Sequence, residues 1–207
     1  KLRTVTGVQT CALPICAPAP ASDCFAPLLQ VPAMLGHAPA DFPWPGPYVK
    51  VDESQTVQWK QRLSAYAGRK IGIAWRGSPQ HPADRMRSIP LAEFAPLAQI
   101  EGVWLFSLQK DAVSEELNSL GEKLKIVDLG TKLDEGTGAF VETAAVLKNL
   151  DLLIACDTAV GHVAGALGVP TWLALNNVPD WRWLENREDA PAYPAHRLFR
   201  QTKFGDW

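Results

Sequence analysis

The sequence predicts an α/β fold in which a parallel sheet carries helices on both faces. Three observations lead there. From residue 69 onward, strand-length apolar runs alternate with helix-length segments. The strands are apolar along their whole length rather than at every second position, as strands covered on both sides must be. The segment 152–156 also stops at Asp157-Thr158 and feeds directly into a small-residue helix over 159–167. Gly168 ends that helix, since glycine tolerates the left-handed backbone of a C-terminal cap, and a strand over 171–175 follows.

The other elements follow in order. Residues 23–48 carry Pro27, Pro32, Pro39, Pro43, Pro45 and Pro47, and read as an irregular linker or the remnant of a preceding domain. Val57, Leu63 and Tyr66 among polar neighbours indicate a connecting helix over 53–67, ended by Gly68. A strand over 71–75 precedes a helix over 91–100 that Pro90 sets off. The rhythm continues with a strand over 103–108, a helix over 112–120, a strand over 126–129 and a helix over 140–149. A short strand over 196–200 closes the series, and no internal repeat of 20–50 residues is visible.

Composition narrows the function classes. The chain of 207 residues is 47% hydrophobic and 20% charged, which suits one ordinary domain. A net charge of −2 argues against nucleic acid or an anionic membrane as the main partner, because both leave a basic footprint. No apolar run approaches the roughly 20 residues of a membrane span. Val5-Thr-Gly-Val-Gln-Thr-Cys-Ala-Leu-Pro-Ile15 resembles the in-frame translation of a sequencing-library adaptor, so residues 1–16 are expected to be an artefact. A secretory signal is the alternative, but Pro14, Pro18 and Pro20 make a poor apolar helix. Without Cys11 and Cys16, the remaining Cys24 and Cys156 have no metal-ligand spacing and form no disulfide framework, which points to the cytoplasm.

Parallel strands place their carboxyl-end loops on one rim, where ligands of such sheets bind. The loop 76–88 is long and basic, and the next strands end at Ser107-Leu-Gln-Lys110 and Asp128-Leu-Gly130. One rim therefore gathers Arg76, His81, Arg85, Arg87 and Lys110 around the helix start at Asp157-Thr158, with His162 one turn further on. A helix N-terminus with free N–H groups beside such cations suits phosphate. Charged hydrogen bonds to phosphate contribute roughly 1.5–3 kcal/mol each. The plainer alternatives are that Asp157 and Thr158 only cap the helix, that Arg85 and Arg87 pair with Asp84 and Glu93, and that His162 is structural. Asp157 is expected to orient its turn by accepting backbone N–H bonds. There is no Walker loop, no Gly-x-Gly-x-x-Gly, no His/Asp/Glu metal cluster and no Ser or Cys nucleophile pattern.

Asp157-Thr-Ala-Val-Gly-His162, Ala164-Gly-Ala-Leu-Gly168, Pro179-Asp-Trp-Arg-Trp183, Tyr193-Pro194, Arg197-Leu-Phe-Arg-Gln201 and Gly205-Asp-Trp207 form an ordered series. With Gly72-Ile-Ala-Trp-Arg-Gly77, Arg87-Ser-Ile-Pro90 and Ser107-Leu-Gln-Lys110, it resembles the C-terminal half of a bacterial glycosyltransferase domain usually attached to tetratricopeptide repeats. That domain is related to the ADP-heptose lipopolysaccharide heptosyltransferases of glycosyltransferase family 9. The resemblance runs from about residue 25 to 207 and implies a Rossmann-like, C-terminal domain of the GT-B fold. It implies a nucleotide-sugar donor as partner, no cofactor and no required metal.

In this resemblance, Asp157, Thr158, Ala159 and His162 hold the donor diphosphate. Trp75, Arg76, Gly77, Arg85, Arg87, Gln109 and Lys110 line the donor cleft, and Glu142 and Thr143 lie on the nucleoside side. Gly161, Ser78, the pair Asn176-Asn177, Ala192 and Glu142 depart from the family's Ala, Asn, Leu-Pro, Trp and Asp, which bears on donor identity. The expected organisation is a linker and N-terminal-domain remnant over 17–67 and a nucleotide-sugar-binding domain over 68–207. The acceptor site and base would belong to the facing domain, so the chain is expected to be a truncated fragment, inactive alone, ending at Trp207 before a closing helix. A non-catalytic module of a repeat protein is the alternative. A nucleotide-sugar epimerase ranks last, with Asp134 and Glu135 its only loosely placed acid/base carboxylates.

Overall fold

The computed structural model describes residues 26, 30–38, 44–81, 84–110 and 114–207. The adaptor-like segment and Cys11, Cys16 and Cys24 lie outside the described residues, as do parts of the Pro-rich stretch and the first residues of the helix expected over 112–120. The chain divides into two compact units, residues 1–37 and 38–207. The first contains a short helix, α1 (Val31–Met34).

Helix α2 (Glu53–Leu63) starts at Asp52, whose carboxylate accepts the N–H groups of Ser54 and Gln55. Glu53 in its first turn and Lys60 and Arg62 in its last complement the helix dipole. It stops four residues short of the expected end, because Tyr66 turns inward to pack edge-on against Trp104 and Phe106 at 5.0 and 5.1 Å.

Six strands follow: β1 (Arg69–Ala74), β2 (Val103–Ser107), β3 (Ile126–Asp128), β4 (Leu152–Cys156), β5 (Thr171–Leu175) and β6 (His196–Arg200). They form one sheet in the order β3-β2-β1-β4-β5-β6, every pair parallel. This is the expected α/β, Rossmann-like architecture, and every expected strand is present.

The helices depart in detail. Instead of one helix over 91–100, a 3-10 turn (Leu91–Phe94) leads into α4 (Ala95–Ala98). Pro96 lacks the N–H that a continuous helix needs, so the chain restarts with proline in a first helical turn, where the missing donor costs nothing. A short helix, α3 (Asp84–Arg87), interrupts the basic loop expected to be irregular. The remaining helices are α5 (Ser114–Leu120), α6 (Val141–Leu147) and α7 (Ala159–Leu167). α7 has the predicted bounds and ends at Gly168 with φ +69°.

Successive strand residues serve opposite faces. Ile71, Ile73, Trp75, Leu105 and Cys156 pack with Leu91, Phe94, Leu117 and Leu120 on one side. Ala74, Phe106, Leu153, Ala155, Leu173 and Leu175 pack on the other beneath α2, α6 and α7. Each large side chain buried here contributes about 1.5–3 kcal/mol. The small residues Ala164 and Ala166 let α7 lie close on the sheet.

Gly130, just past β3, presses on the loop that follows β2. A Cβ there would stand 2.6 Å from both the backbone nitrogen and the carbonyl carbon of Gln109. Backbone cannot yield as a side-chain tip does. Gly130→Ala is therefore expected to cost about 1–3 kcal/mol of stability or more, read as a lower urea midpoint. An unchanged midpoint would mean that the β2 loop is not held against β3. Among the described residues, no helix is long and apolar enough to cross a membrane.

Candidate functional site

β1 and β4 are neighbours in the sheet, and there the strand order reverses. Connections leaving these strands diverge to opposite faces and open a crevice at the carboxyl edge. Three chain segments reach it. From β1 come Arg76 and Gly77, and the returning loop is pinned where the Ile89 N–H bonds the Trp75 carbonyl at 2.8 Å. α3 then projects Arg87, whose Nη1 donates to the Asp157 carbonyl at 3.0 Å and whose Nε pairs with Asp84 Oδ1 at 3.3 Å. From β2 come Gln109, whose Oε1 accepts the Arg76 N–H at 3.1 Å, and Lys110. From β4 come Thr158 and the start of α7.

That helix start has no side-chain cap. Thr158 is extended, with φ −139° and ψ 168°, and its hydroxyl donates back to the Cys156 carbonyl at 3.3 Å. Among the described residues, no side chain accepts from the N–H groups of the first turn. The result is an open cleft of about 450 Å³ walled by Arg76, Gly77, Arg87, Gln109, Lys110, Phe140, Thr158 and Ala159. Among the described residues, nothing bonds or pairs with the exposed Arg76 guanidinium.

Lys110 is positioned from behind. Its ammonium lies 2.9 Å from Asp134 Oδ2, a carboxylate only 1% exposed. Asp134 also accepts the Glu142 N–H at 2.7 Å, the Thr143 N–H at 3.0 Å and the Thr143 hydroxyl at 2.7 Å, so it caps α6 across the loop. Burial pushes its pKa up, but the Lys110 and Thr143 hydrogen bonds outweigh that and hold it below the usual carboxylate value.

A family sequence model described as glycosyltransferase family 9 (heptosyltransferase) matches residues 33–175, a span that contains the whole cleft. The chain belongs to glycosyltransferase family 9.

The sheet agrees with solved members of the family. A glycosyl transferase family 9 protein from Veillonella parvula DSM 2008 superposes with a TM-score of 0.57 at 16% identity, over 75% of this chain and 43% of that one. The ADP-heptose LPS heptosyltransferase II of E. coli gives 0.54 at 19% identity, over 79% and 47%. Protein FlbA of Caulobacter vibrioides is 29% identical over 175 residues, which is 80% of this chain and 28% of FlbA. The chain thus spans about half the length of these structures and little over a quarter of FlbA.

Of the residues expected in the donor cleft, Arg76, Gly77, Arg87, Gln109, Lys110, Thr158 and Ala159 meet there. Others do not. Trp75 is 1% exposed in the core, on the opposite side of the strand from the cleft-lining Ala74, and its indole N–H donates to Glu116 at 3.3 Å. Arg85 is exposed on α3 but lies outside the lining, because two helical positions, about 200° around the axis, turn it away from Arg87. His81 also lies outside it. Glu142 and Thr143 are occupied with Asp134, the former accepting its N–H at 2.8 Å. They stand behind Lys110 rather than in the lining. Asp134 is in turn too buried and too fully bonded to be a free acid or base.

Asp157 does not orient its turn through backbone N–H bonds. Its carboxylate accepts the Trp183 indole N–H at 2.9 Å and lies 3.6 Å from His162 Nε2. Burial raises its pKa, yet the His162 and Trp183 bonds bring the net value below normal. His162 stacks on Trp183 at 5.2 Å and lines a neighbouring cavity instead of the cleft. The expected Arg87–Asp84 pair is present, but the same guanidinium also reaches the cleft. The contacts that Asp134, Trp183 and Tyr193 make were not legible, since Lys110, Glu142 and Thr143, Asp157 and His162 lie eight or more positions from them with no periodic signature. Among the described residues, no three His, Cys, Asp or Glu side chains group to hold a metal ion.

Proposed function

We propose that this domain is the donor-binding half of a glycosyltransferase and holds the diphosphate of a nucleotide-sugar in the cleft, without a metal or other cofactor. The observation that carries this is the convergence of Arg76 and Arg87, from the loop after β1, and Lys110, from the loop after β2, on the uncapped start of α7. Two charge-assisted bonds of about 1.5–3 kcal/mol each, added to the helix N–H groups, suffice for millimolar to micromolar affinity. The nucleoside would lie toward Phe140 and the loop before α6.

Titration with UDP, GDP and ADP, with and without EDTA, tests the reading. One diphosphate is expected to bind equally well in both, and Arg76→Ala and Lys110→Ala each to weaken it about tenfold. Unchanged affinity in both variants would remove the cleft from consideration.

Transfer also needs an acceptor site and a base near the acceptor hydroxyl. The family structures are about twice as long as the span matched here, so these are assigned to a facing domain, and the chain by itself is proposed to be inactive. Tetratricopeptide repeats are the proposed context of the full-length protein, and the cytoplasm its proposed location. A non-catalytic interaction module is favoured by one observation, that Arg87 and Lys110 already pair with Asp84 and Asp134. It requires that no nucleotide bind.

A further inference from the structure

Further along the same rim, the loop 176–195 between β5 and β6 walls a cavity of about 710 Å³. Neighbouring strands lie about 4.8 Å apart, so the strand ends beside it stand roughly 5–10 Å along the sheet from β4.

One turn builds this cavity. Asp180 accepts the Arg182 N–H at 3.0 Å and pairs with the Arg182 guanidinium at 3.0 Å, which starts a 3-10 turn over Trp181–Trp183. The turn sends its two indoles apart. Trp183 is 1% exposed and anchored on Asp157, whereas Trp181 is 50% exposed and lines the cavity beside the exposed Val178. Arg200 fixes the rest of the loop, donating to the Trp183 carbonyl at 2.6 Å and to the Arg187 carbonyl at 3.3 Å. Between those two carbonyls, Leu184 and Asn186 are held at φ +55° and +53°, a left-handed backbone that costs residues with a Cβ free energy. The wall is therefore held in shape before any ligand arrives.

The groups facing this space differ from those of the cleft. Trp181 supplies an aromatic face, and Asn177 and Asn186 supply carboxamides that nothing among the described residues bonds. The charges in the lining are Asp180, Glu185 and Arg200, two acids against one base. Anions are thus disfavoured here, in contrast to the cleft of Arg76, Arg87 and Lys110. A flat ring takes an apolar C–H face, and amides and a carboxylate beside it take adjacent hydroxyls, the two sides of a neutral sugar. A peptide added as a strand needs a free sheet edge, whereas the free groups here are side chains beyond the strand ends.

We propose that this cavity binds a neutral saccharide, with the Trp181 ring against its C–H face and Asn177, Glu185 and Asn186 on its hydroxyls. Binding there is separate from the donor reading of the cleft and holds without it. The loop retains a glycan on the rim, while transfer belongs to the cleft and the facing domain.

Proton–nitrogen correlation NMR of the full chain follows the Trp181 indole N–H, assigned by its loss in Trp181→Ala. The titrants are the methyl glycosides of glucose, galactose, mannose and N-acetylglucosamine. At least one is expected to shift that resonance saturably, and irradiation of aromatic protons should label its C–H groups. Trp181→Ala and Asn177→Ala are each expected to weaken that glycoside about fivefold. Both side chains are exposed, so neither change disturbs the core. Arg76→Ala, and the presence of UDP, GDP or ADP, should leave its affinity unchanged.

Failure of every glycoside to shift the Trp181 resonance, or equal glycoside affinity in wild type and both variants, would overturn the proposal. A shift produced by uridine, adenosine or a proline-rich peptide, with no response to glycosides, would give the cavity to a nucleoside or a protein and overturn it likewise. Failure of the diphosphates alone removes the donor reading and leaves the saccharide site standing.

Discussion

Arg87→Ala is expected to weaken nucleoside diphosphate binding by about ten- to a hundredfold, more than loss of either other cation. Arg76 stands in solvent and Lys110 is held from one side, whereas Arg87 has two functions. Its Nη1 bonds the Asp157 carbonyl at 3.0 Å, tying the β1 loop to the turn that starts α7. Its Nε holds Asp84, a residue only 7% exposed, which also accepts the Ser88 hydroxyl at 3.1 Å. Truncation removes a cation from the cleft, loosens the turn whose N–H groups complete it and leaves a buried carboxylate without its counter-charge. Arg87→Lys should recover little of the loss, because an ammonium cannot span Asp84 and Asp157 together. Calorimetric affinity and the urea midpoint should fall together in Arg87→Ala. Loss of affinity with an unchanged midpoint would mean that Arg87 acts as a charge alone.

Lowering the pH from about 6.5 to about 4 is expected to remove roughly 3 kcal/mol of stability through His196. Its ring is 4% exposed, and burial lowers its pKa to about 4, assisted by nearby His162 and opposed by the bond to Gly161. Nε2 lies 3.1 Å from the Gly161 carbonyl, so the neutral ring donates there, and Nδ1 has no partner. In the unfolded chain the same ring protonates near the ordinary value of 6.5. Between the two values the unfolded state binds more protons, so stability falls as pH falls, and the loss is complete below about 4.

Asp134 and Asp157 act in a separate window. Their folded values are depressed, so the stability they contribute is present above the unfolded value of 3.8 and is lost only as pH drops through the lower folded values. Urea midpoints from pH 7 to 4 should decline in wild type and flatten in His196→Gln. Parallel slopes in the two proteins would show that some other group carries the acid sensitivity.

How much of the site was legible depends on the range of the interactions. The rim was readable because carboxyl-end loops of parallel strands share an edge, and Arg76, Lys110 and Thr158 each lie one to three residues past their strand. Arg85 and Arg87 were indistinguishable in the basic loop. Only the four residues of α3 decide that Arg87 reaches the crevice and Arg85 the solvent. Trp75 was misassigned because strand alternation, which sends it to the core, matters more than its proximity to Arg76. Glu142 and Thr143 sat at the correct helix start, but Asp134 takes up the bonding groups that would have faced a ligand.

The sequence by itself determined the alternation of elements, the bounds of β4, α7 and β5, and the family's ordered motifs. All of these arise from local causes: apolar runs of strand length, a helix of small residues, and a glycine able to take the left-handed backbone. Tertiary structure alone decided that β1 and β4 lie side by side, and so which cations share a cleft. It also decided that Lys110 is held by Asp134, that Asp157 faces Trp183 and His162 rather than its own turn, and that Arg200 pins the loop walling a second cavity. Those contacts depend on strand order and on which face of the sheet each connection crosses. Neither leaves a periodic trace in the chain, because the free energy of such contacts is realised only once the sheet has brought their partners together.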